Sequence, residues 1–377
     1  MKVALFTDTF FPQINGVTNT LRKILEFYEK SGIKYKVFIP KYDIEVMDHN
    51  VTESFYSLKF FLYPETRVAF PNTARITSTL SDFCPDLIHI LTEFNMGIAG
   101  LKYGKKYGIP TISTYTTNFS QYTDYFKIRF LRQPIWNYLQ WFHSNHAITL
   151  CPSISSQQLL HRHGILNTEL FSRGIDYDNF SPLHRSNDLR NQLGIANKTA
   201  FLYVGRISNE KDLDILSISY NEIQLKYQQQ VALIITGDGP YMKKCKKLFP
   251  DDTIYTGFKT GRELSEIYAS CDIFVCPSST ETFGNVVLEA MASQIAVIGA
   301  DAGGVGEIIE DSVNGLKFAK RNPTELFHCM EELLCNTKLR EKLKNNGRAF
   351  SLTKSWNAIF ERLNQIYQQV IVQSTSK

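Results

Sequence analysis

The chain has 377 residues, which is enough for two domains of about 150–200 residues with separate hydrophobic cores. Hydrophobic residues make up 43% of the sequence and charged residues 21%, a balance that is typical of globular proteins and argues against disorder. The formal net charge of +4 lacks the strong basic excess of nucleic-acid-binding proteins, so we expect no nucleic-acid partner.

Short apolar runs alternate with amphipathic helix patterns in the first half of the chain. Helix patterns occupy Val17–Tyr28 and Phe130–Phe142. Five apolar runs predict β-strands, at 3–8, 35–40, 86–91, 111–115 and 147–153. Because apolar strands separated by helices are typical of βαβ units, this half predicts a parallel sheet. We assign residues 1–175 to a first Rossmann-like domain.

The second half repeats the pattern, with predicted strands at 200–205, 231–237, 272–278 and 296–300. The boundary falls near Arg173–Pro182, which is polar and rich in turn residues. We assign residues 176–355 to a second Rossmann-like domain and 356–377 to a helix that packs back on the first domain. The predicted fold class is α/β, with two Rossmann-like doubly wound domains that face each other across a cleft. Ligands of such sheets bind beyond the carboxyl ends of the strands.

Compartment and membrane signals point to the cytoplasm. The seven cysteines show neither zinc-ligand nor redox spacing, which favours a reducing compartment. The apolar run after Lys2 lacks a signal-peptide cleavage site and is interpreted as a first strand. No run of about 18 apolar residues occurs, so we expect no membrane-spanning segment.

The segment Ser278–Ser293 carries the most informative motif. It follows a predicted strand and opens a helix near Gly284 and Asn285, where free backbone N–H groups can bind anions or hydroxyls. Glu281 in the loop and Glu289 inside the helix can each accept hydrogen bonds from a pair of sugar hydroxyls. The alternative is an acid that stabilises a helix start and a second, unrelated surface glutamate.

Two further loops follow strands or precede helices. Arg206 and Lys211 share the loop GRISNEKD, and two cations there suit a diphosphate. The alternative is a solvated loop in which Lys211 pairs with Glu210. Gly16 in PQING would let backbone approach a ligand closely, although a plain turn glycine explains it equally. The glycine loops GDGP (237–240) and AGG (302–304) are weak signals by themselves.

Together these motifs resemble the retaining glycosyltransferases of family four, which have the two-domain architecture called GT-B. Glu281 and Glu289 match the E-x7-E motif of that family, and the resemblance extends over nearly the whole chain. It implies that Arg206 and Lys211 hold the donor diphosphate and, with Glu281, form the catalytic group. It also implies that Glu289 binds ribose, that the domain 1–175 binds the acceptor and that the domain 176–355 binds the donor.

The resemblance assigns the remaining donor contacts as well. Glu281 would hold hydroxyls of the transferred sugar, with backbone around Phe283, Gly284 and Asn285. Phe258 in TGF lies where the family meets the nucleobase, and Gly16 where it meets the donor phosphate or the acceptor. The family needs no metal or other cofactor, and the donor would be a UDP- or GDP-sugar. The leaving phosphate accepts the proton of the acceptor, so no protein base is assigned.

The segments FTDTFFPQINGVTNTL and SRGID are similar to a glycolipid-synthesising subgroup of the family. Tyr115 stands where that subgroup commonly has a histidine that contacts the sugar, and it would make a different contact. The acceptor would be a lipid or a glycan. Basic and aromatic side chains alternate along 125–146, which suits an anionic membrane surface on the inner face. The alternative is a helix whose aromatic residues belong to the core.

Three other functions remain open at this point. A nucleotide-sugar epimerase would need acid–base residues at the sugar. A glycan phosphorylase would need a cofactor lysine and a longer chain. A subunit that binds the donor without turnover has only the departure at Tyr115 in its favour.

Overall fold

The computed structural model describes residues 1–13, 16–42, 51–60, 63–116 and 129–375. These residues form two compact units. The first unit contains Met1–Ser172 and Asn357–Lys377, and the second contains Arg173–Trp356. Each unit has a parallel sheet of its own.

The first unit contains a seven-stranded sheet in the order β3-β2-β1-β6-β7-β8-β9. Its paired strands all run parallel, and an antiparallel hairpin of β4 and β5 accompanies the sheet. The strands are β1 (Lys2–Phe6), β2 (Lys34–Pro40), β3 (Thr52–Phe55), β4 (Ser57–Phe60), β5 (Tyr63–Ala69), β6 (Leu87–Ile90), β7 (Thr111–Thr114), β8 (Ile148–Cys151) and β9 (Thr168–Leu170). The helices are Gly16–Lys30, Thr73–Phe83, Asn95–Tyr107, Arg132–Ser144, Ile154–Arg162 and Trp356–Thr375.

Small residues bring one helix of the first unit close to its sheet. A side chain on Gly100 would overlap the ring of Phe6 in β1, so the helix Asn95–Tyr107 can approach only because glycine stands there. The helix ends at Gly108, whose φ of 68° lies in the left-handed region that glycine adopts readily.

The last helix packs on the first unit through a buried chain of hydroxyl groups. The Tyr367 hydroxyl lies 2.6 Å from the Tyr28 hydroxyl and 2.6 Å from His89 Nδ1. His89 Nε2 in turn lies 2.7 Å from Thr114 Oγ1 at the end of β7. These four side chains are almost fully buried, so the contacts form part of the core.

The second unit contains a six-stranded parallel sheet in the order β12-β11-β10-β13-β14-β15. Its strands are β10 (Thr199–Val204), β11 (Val231–Thr236), β12 (Ile254–Gly257), β13 (Ile273–Cys276), β14 (Ala296–Ala300) and β15 (Leu316–Phe318). Its helices are Asn187–Gln192, Leu213–Tyr227, Met242–Leu248, Gly261–Ser270, Asn285–Ala292, Gly303–Ile308, Pro323–Cys335 and Thr337–Leu352.

Both faces of this second sheet are buried, which explains its continuous apolar strands. Along β10, Phe201 and Tyr203 enter one hydrophobic cluster, while Ala200 and Leu202 enter another. Alternating side chains therefore feed two cores, one under each helical layer. The arrangement is a doubly wound α/β domain.

All nine predicted strands are present, within two residues at their ends. The helix predicted at Phe130–Phe142 spans Arg132–Ser144. In the part of the chain that the structure describes, six further strands were not predicted, namely β3, β4, β5, β9, β12 and β15. They are short edge strands or hairpin strands. Because they lack a long apolar run, the pattern that predicts buried strands does not predict them.

Candidate functional site

The predicted donor-binding residues follow neighbouring strands of the second sheet. Arg206 comes after β10, Phe258 after β12 and Glu281 after β13, and these strands lie in the order β12-β11-β10-β13. Because carboxyl ends of parallel strands meet at one edge, the three side chains share that edge. The second unit therefore brings the predicted motifs to one place.

Lys211 and Glu281 are in direct contact. Lys211 Nζ lies 2.6 Å from Glu281 Oε1, and the two side chains keep 17% and 24% of their surface exposed. Seventy positions separate them in sequence, so the contact results from the fold. A cation and a carboxylate held together at a partly open edge can hold a phosphate and a hydroxyl group side by side.

Glu210 has other hydrogen-bond partners, which disfavours the alternative of a solvated loop in which it pairs with Lys211. The Glu210 side chain is buried and accepts a hydrogen bond from Ser208 Oγ at 2.5 Å. Its backbone carbonyl accepts another from Thr280 Oγ1 at 3.1 Å. The loop that carries Lys211 is thus tied to the loop that carries Glu281.

Arg206 lies on a backbone that neighbouring groups fix in place. The Tyr203 hydroxyl donates to the Arg206 carbonyl at 2.9 Å. Gly205 and Gly237 end adjacent strands with φ values of 156° and 138°, and a side chain on Gly237 would overlap the Gly205 carbonyl. The strand ends can approach because both residues are glycine. The fixed backbone restricts where the Arg206 guanidinium can lie, which suits it to bind phosphate.

Glu289 lies on the helix Asn285–Ala292 and accepts a hydrogen bond from the buried Tyr268 hydroxyl at 2.9 Å. Desolvation raises the pKa of Glu289 from 4.5 to about 7, and the Tyr268 hydrogen bond opposes that rise. The helix begins at Gly284, whose φ of 98° suits glycine. The Glu289 carboxyl group therefore ionises near neutral pH. Hydrogen-bond donors such as ribose hydroxyls would favour its ionised form.

The AGG loop, a weak signal in the sequence, supports the segment between the two glutamates. Gly304 N donates to the Glu281 carbonyl at 2.9 Å. A side chain on Gly303 would overlap the backbone of Glu281, and one on Gly304 would overlap that of Phe283. The glycines thus permit the close packing that places this segment.

Phe258 remains 56% exposed directly after β12. It follows Gly257, whose carbonyl accepts a hydrogen bond from Gly237 N at 2.9 Å. An exposed aromatic ring beside these strand ends offers a flat surface for a base.

Gly16 lies in the first unit, where it opens the helix Gly16–Lys30. Its carbonyl accepts a hydrogen bond from Thr20 Oγ1 at 2.8 Å. Ile14 and Asn15 of the same motif lie outside the described residues. The described part of the motif is a helix start with exposed backbone, which suits an anion or a hydroxyl group.

Tyr115 belongs to the core of the first unit, which disfavours the sugar contact expected for it. Its side chain is fully buried with Trp136 and Leu139, and its ring centroid lies 5.8 Å from that of His143. Among the described residues its hydroxyl has no hydrogen-bond partner, and burial raises its pKa well above the usual value. Thr116 is only half-buried, so it is better placed to meet a ligand.

Two buried acids at the carboxyl edge of the first sheet were missed in the sequence. Asp8 follows β1 and accepts from Thr92 Oγ1 and from Met96 N, each at 2.8 Å. Burial raises the pKa of Asp8 to about 6. Glu93 follows β6, and its Oε1 lies 3.5 Å from His143 Nε2. The sequence contained a signal for both, because each acid lies two or three residues after the end of an apolar strand.

The stretch 125–146 divides between core and surface. Residues 125–128 lie outside the described part of the chain. Trp136 and Phe142 are buried, as the core alternative expects. Phe130 and Trp141 are 77% and 48% exposed and remain available to a membrane surface. Among the helices that the structure describes, none has the length and apolarity needed to cross a bilayer.

Two family models match the chain, one in each half. The model described as Glycosyltransferase Family 4 matches residues 14–179, and that described as Glycosyl transferases group 1 matches residues 185–350. A GDP-mannose-dependent alpha-mannosyltransferase of Corynebacterium glutamicum is 30% identical over 384 residues, which cover 99% of this chain and 90% of that protein. An alpha-monoglucosyldiacylglycerol synthase of Streptococcus pneumoniae is 29% identical over 334 residues, covering 84% and 74%.

A solved structure agrees with the predicted fold class. Sucrose-phosphate synthase from Thermosynechococcus elongatus has a TM-score of 0.81 to this chain, with 19% identity and 99% of both chains covered. At that identity the likeness concerns the fold alone. The two-domain parallel α/β class of the GT-B type is confirmed.

Proposed function

This chain belongs to glycosyltransferase family 4, and from that membership we propose that it is a retaining, metal-independent hexosyltransferase. The observation that carries the proposal is the 2.6 Å contact of Lys211 with Glu281 at the carboxyl edge of the second sheet. The donor is a UDP- or GDP-sugar, and the acceptor is a lipid or a glycan.

The charges of the site suit departure of a nucleoside diphosphate. As the bond between the anomeric carbon and the diphosphate oxygen breaks, negative charge builds up on that oxygen. Lys211 and Arg206 supply two cations for it, so the protein itself provides the stabilisation that a divalent metal would otherwise give. Glu281 holds hydroxyls of the sugar while the bond breaks.

Retention follows if the acceptor attacks from the face that the diphosphate leaves. The new bond then forms between the acceptor oxygen and the anomeric carbon, and the acceptor proton moves to the departing phosphate oxygen. This reaction depends on orientation and charge stabilisation, and it requires no protein base. We accordingly assign none.

The nucleotide is held by the remaining residues of the second unit. Glu289 accepts hydrogen bonds from the ribose hydroxyls, and Phe258 stacks against the base. Backbone N–H groups at Gly284 and Asn285 bind hydroxyl or phosphate oxygens at the helix start. The assignment of Glu289 is supported by its hydrogen bond from Tyr268, which fixes the orientation of the carboxylate.

A lipid acceptor is supported by the similarity to a diacylglycerol-modifying synthase and by the exposed Phe130 and Trp141. Aromatic side chains of this kind favour the interface of a bilayer. We therefore place the enzyme in the cytoplasm, with peripheral attachment to the inner face of the membrane.

The test is a donor-hydrolysis and transfer screen with purified protein. UDP-, GDP- and ADP-sugars are supplied with and without anionic vesicles that contain diacylglycerol, and the product anomer is assigned by NMR. We expect release of one nucleoside diphosphate, stimulation by the vesicles and an α-linked product from an α-linked donor. Inversion would contradict retention, loss of activity in a metal chelator would contradict metal independence, and binding without turnover would favour a non-catalytic subunit.

A further inference from the structure

Asp212 combines a strained backbone with a buried charge. It follows Lys211 directly and precedes the helix Leu213–Tyr227. Its φ of 50° and ψ of 38° lie in the left-handed region, which costs a non-glycine residue conformational energy. Its side chain is only 5% exposed. Such a residue persists where the surrounding structure requires its side chain.

The carboxylate of Asp212 joins loops that follow three different strands. Its Oδ2 accepts from Ser279 N at 3.0 Å and from Ser279 Oγ at 2.6 Å. Its Oδ1 accepts from Arg321 Nε at 3.3 Å. Ser279 lies two residues before Glu281, and Arg321 lies three residues after β15. The Lys211 loop is therefore held to the Glu281 loop by charge-assisted hydrogen bonds.

We propose that Asp212 is a positioning residue that holds the backbone of Lys211 at the carboxyl edge of the second sheet and thereby sets the affinity of the site for the donor diphosphate. This inference rests on the proposed function. The lysine side chain is flexible, so its charge is located by the backbone that carries it. Arg321 is a charged partner of Asp212, and it offsets the negative charge of the carboxylate beside the proposed phosphate site.

The variants separate backbone strain from the loss of contacts. Asp212→Gly removes the carboxylate and also relieves the left-handed strain, so a loss reflects the missing contacts together with the added flexibility of glycine. In Asp212→Asn, asparagine tolerates the same left-handed backbone. It keeps one side-chain oxygen as an acceptor and removes the negative charge. Ser279→Ala removes one donor and leaves Asp212 in place. Asp214→Asn is the matched control, because Asp214 is exposed one residue into the same helix.

The experiment compares affinities for UDP and GDP with those for uridine and guanosine. Calorimetry measures the diphosphates, and ligand-observed NMR measures the weaker nucleosides. In Asp212→Gly we expect the diphosphate affinity to fall by about tenfold or more, as for other partners that orient a binding residue, and nucleoside affinity to stay within about twofold. Asp212→Asn and Ser279→Ala should show smaller losses of the same kind, and Asp214→Asn none.

An equal loss for diphosphate and nucleoside would mean that Asp212 has only a structural role, and would overturn the inference. Unchanged diphosphate affinity in Asp212→Gly would also overturn it, and so would unchanged affinity in Ser279→Ala if the glycine variant does not fold. A wild-type chain that binds neither UDP nor GDP would contradict the proposed function itself. The two failures are thus distinguishable.

Discussion

Lys211 and Glu281 neutralise each other at 2.6 Å, and this pairing decides what each substitution does. In Glu281→Ala the sugar loses its acceptor of hydrogen bonds, so we expect transfer and donor hydrolysis to fall by at least about 100-fold. The same change frees Lys211 for the phosphates, so UDP or GDP affinity should be retained or should rise. Steady-state kinetics and calorimetry give the two quantities.

Glu281→Gln is the matched variant, since it keeps the shape of the side chain and removes its charge. We expect it to lose turnover like the alanine variant and to bind the diphosphate at least as well as wild type. Wild-type turnover in either variant would show that Glu281 does not hold the reacting sugar.

The raised pKa of Glu289 makes nucleotide affinity depend on pH. Ribose hydroxyls donate to the carboxylate, so binding lowers this pKa and releases a proton. Affinity should therefore rise as the pH increases towards about 7, where the free carboxyl ionises, and level off above it. Calorimetry from pH 5.5 to 8.5 (about three pH units, which span the transition) measures the profile.

Two variants test that pH profile. Glu289→Gln should lose the part of the pH dependence that the carboxyl contributes, and the remainder reports titration of the phosphate. Tyr268→Phe removes the hydrogen bond that opposes the pKa rise, so its profile should shift to higher pH. A wild-type profile in both variants would exclude Glu289 as the ribose ligand.

At the scale of elements, the helix Gly303–Ile308 supports the segment from Glu281 to Phe283 through backbone packing. A Cβ on Gly304 would overlap the Phe283 backbone, so Gly304→Ala must displace that segment. We expect a loss of about 100-fold in donor hydrolysis, because catalytic groups misplaced by about 1 Å lose activity on that scale. Gly194→Ala is a control for backbone strain alone. Gly194 has a φ of 67°, and a side chain added there would meet no other atom within 4 Å.

The strands show which elements a sequence can reveal. β10 was predicted because Phe201 and Leu202 enter opposite cores, so its whole length is apolar. β15 spans only Leu316–Phe318 at the edge of the sheet, and three residues carry too little pattern. β4 and β5 form a hairpin outside both parallel sheets. No helix lies between the two strands, so the alternation of strands and helices that predicts βαβ units is missing there.

Some features of the candidate site could likewise be predicted from the sequence, and others could not. Arg206, Lys211, Glu281 and Glu289 could be proposed from the sequence because they follow apolar strands or lie where a helix opens. The sequence could not show that Lys211 contacts Glu281, because that contact depends on how distant loops pack. It also could not show the burial of Tyr115, because a strand end does not reveal the side to which its last side chain points.

For the whole molecule, the buried contacts of Tyr367 contribute to the stability of the first unit. Tyr367→Phe leaves the Tyr28 hydroxyl and His89 Nδ1 each without that partner. We expect a loss of about 1–3 kcal/mol in the free energy of unfolding. Tryptophan fluorescence during denaturant unfolding reports this loss, because Trp136 and Trp141 lie in the first unit.

Tyr56→Phe is the matched control, since it makes the same chemical change on a tyrosine of the first unit that is 64% exposed. Its unfolding midpoint should stay close to that of wild type. Equal stability of the Tyr367 and Tyr56 variants would mean that the hydroxyl chain contributes nothing net.

The return of the helix Trp356–Thr375 to the first unit has a consequence for biosynthesis. A ribosome makes the strands of the first unit at the beginning and their last packing partner only after residues 173–356. The second unit consists of one uninterrupted segment and can finish folding during translation. The first unit must instead wait, with the surface around Tyr28 and His89 uncovered, until the last helix emerges. During synthesis, the half of the protein that is made first is therefore the half that matures last and most needs a chaperone.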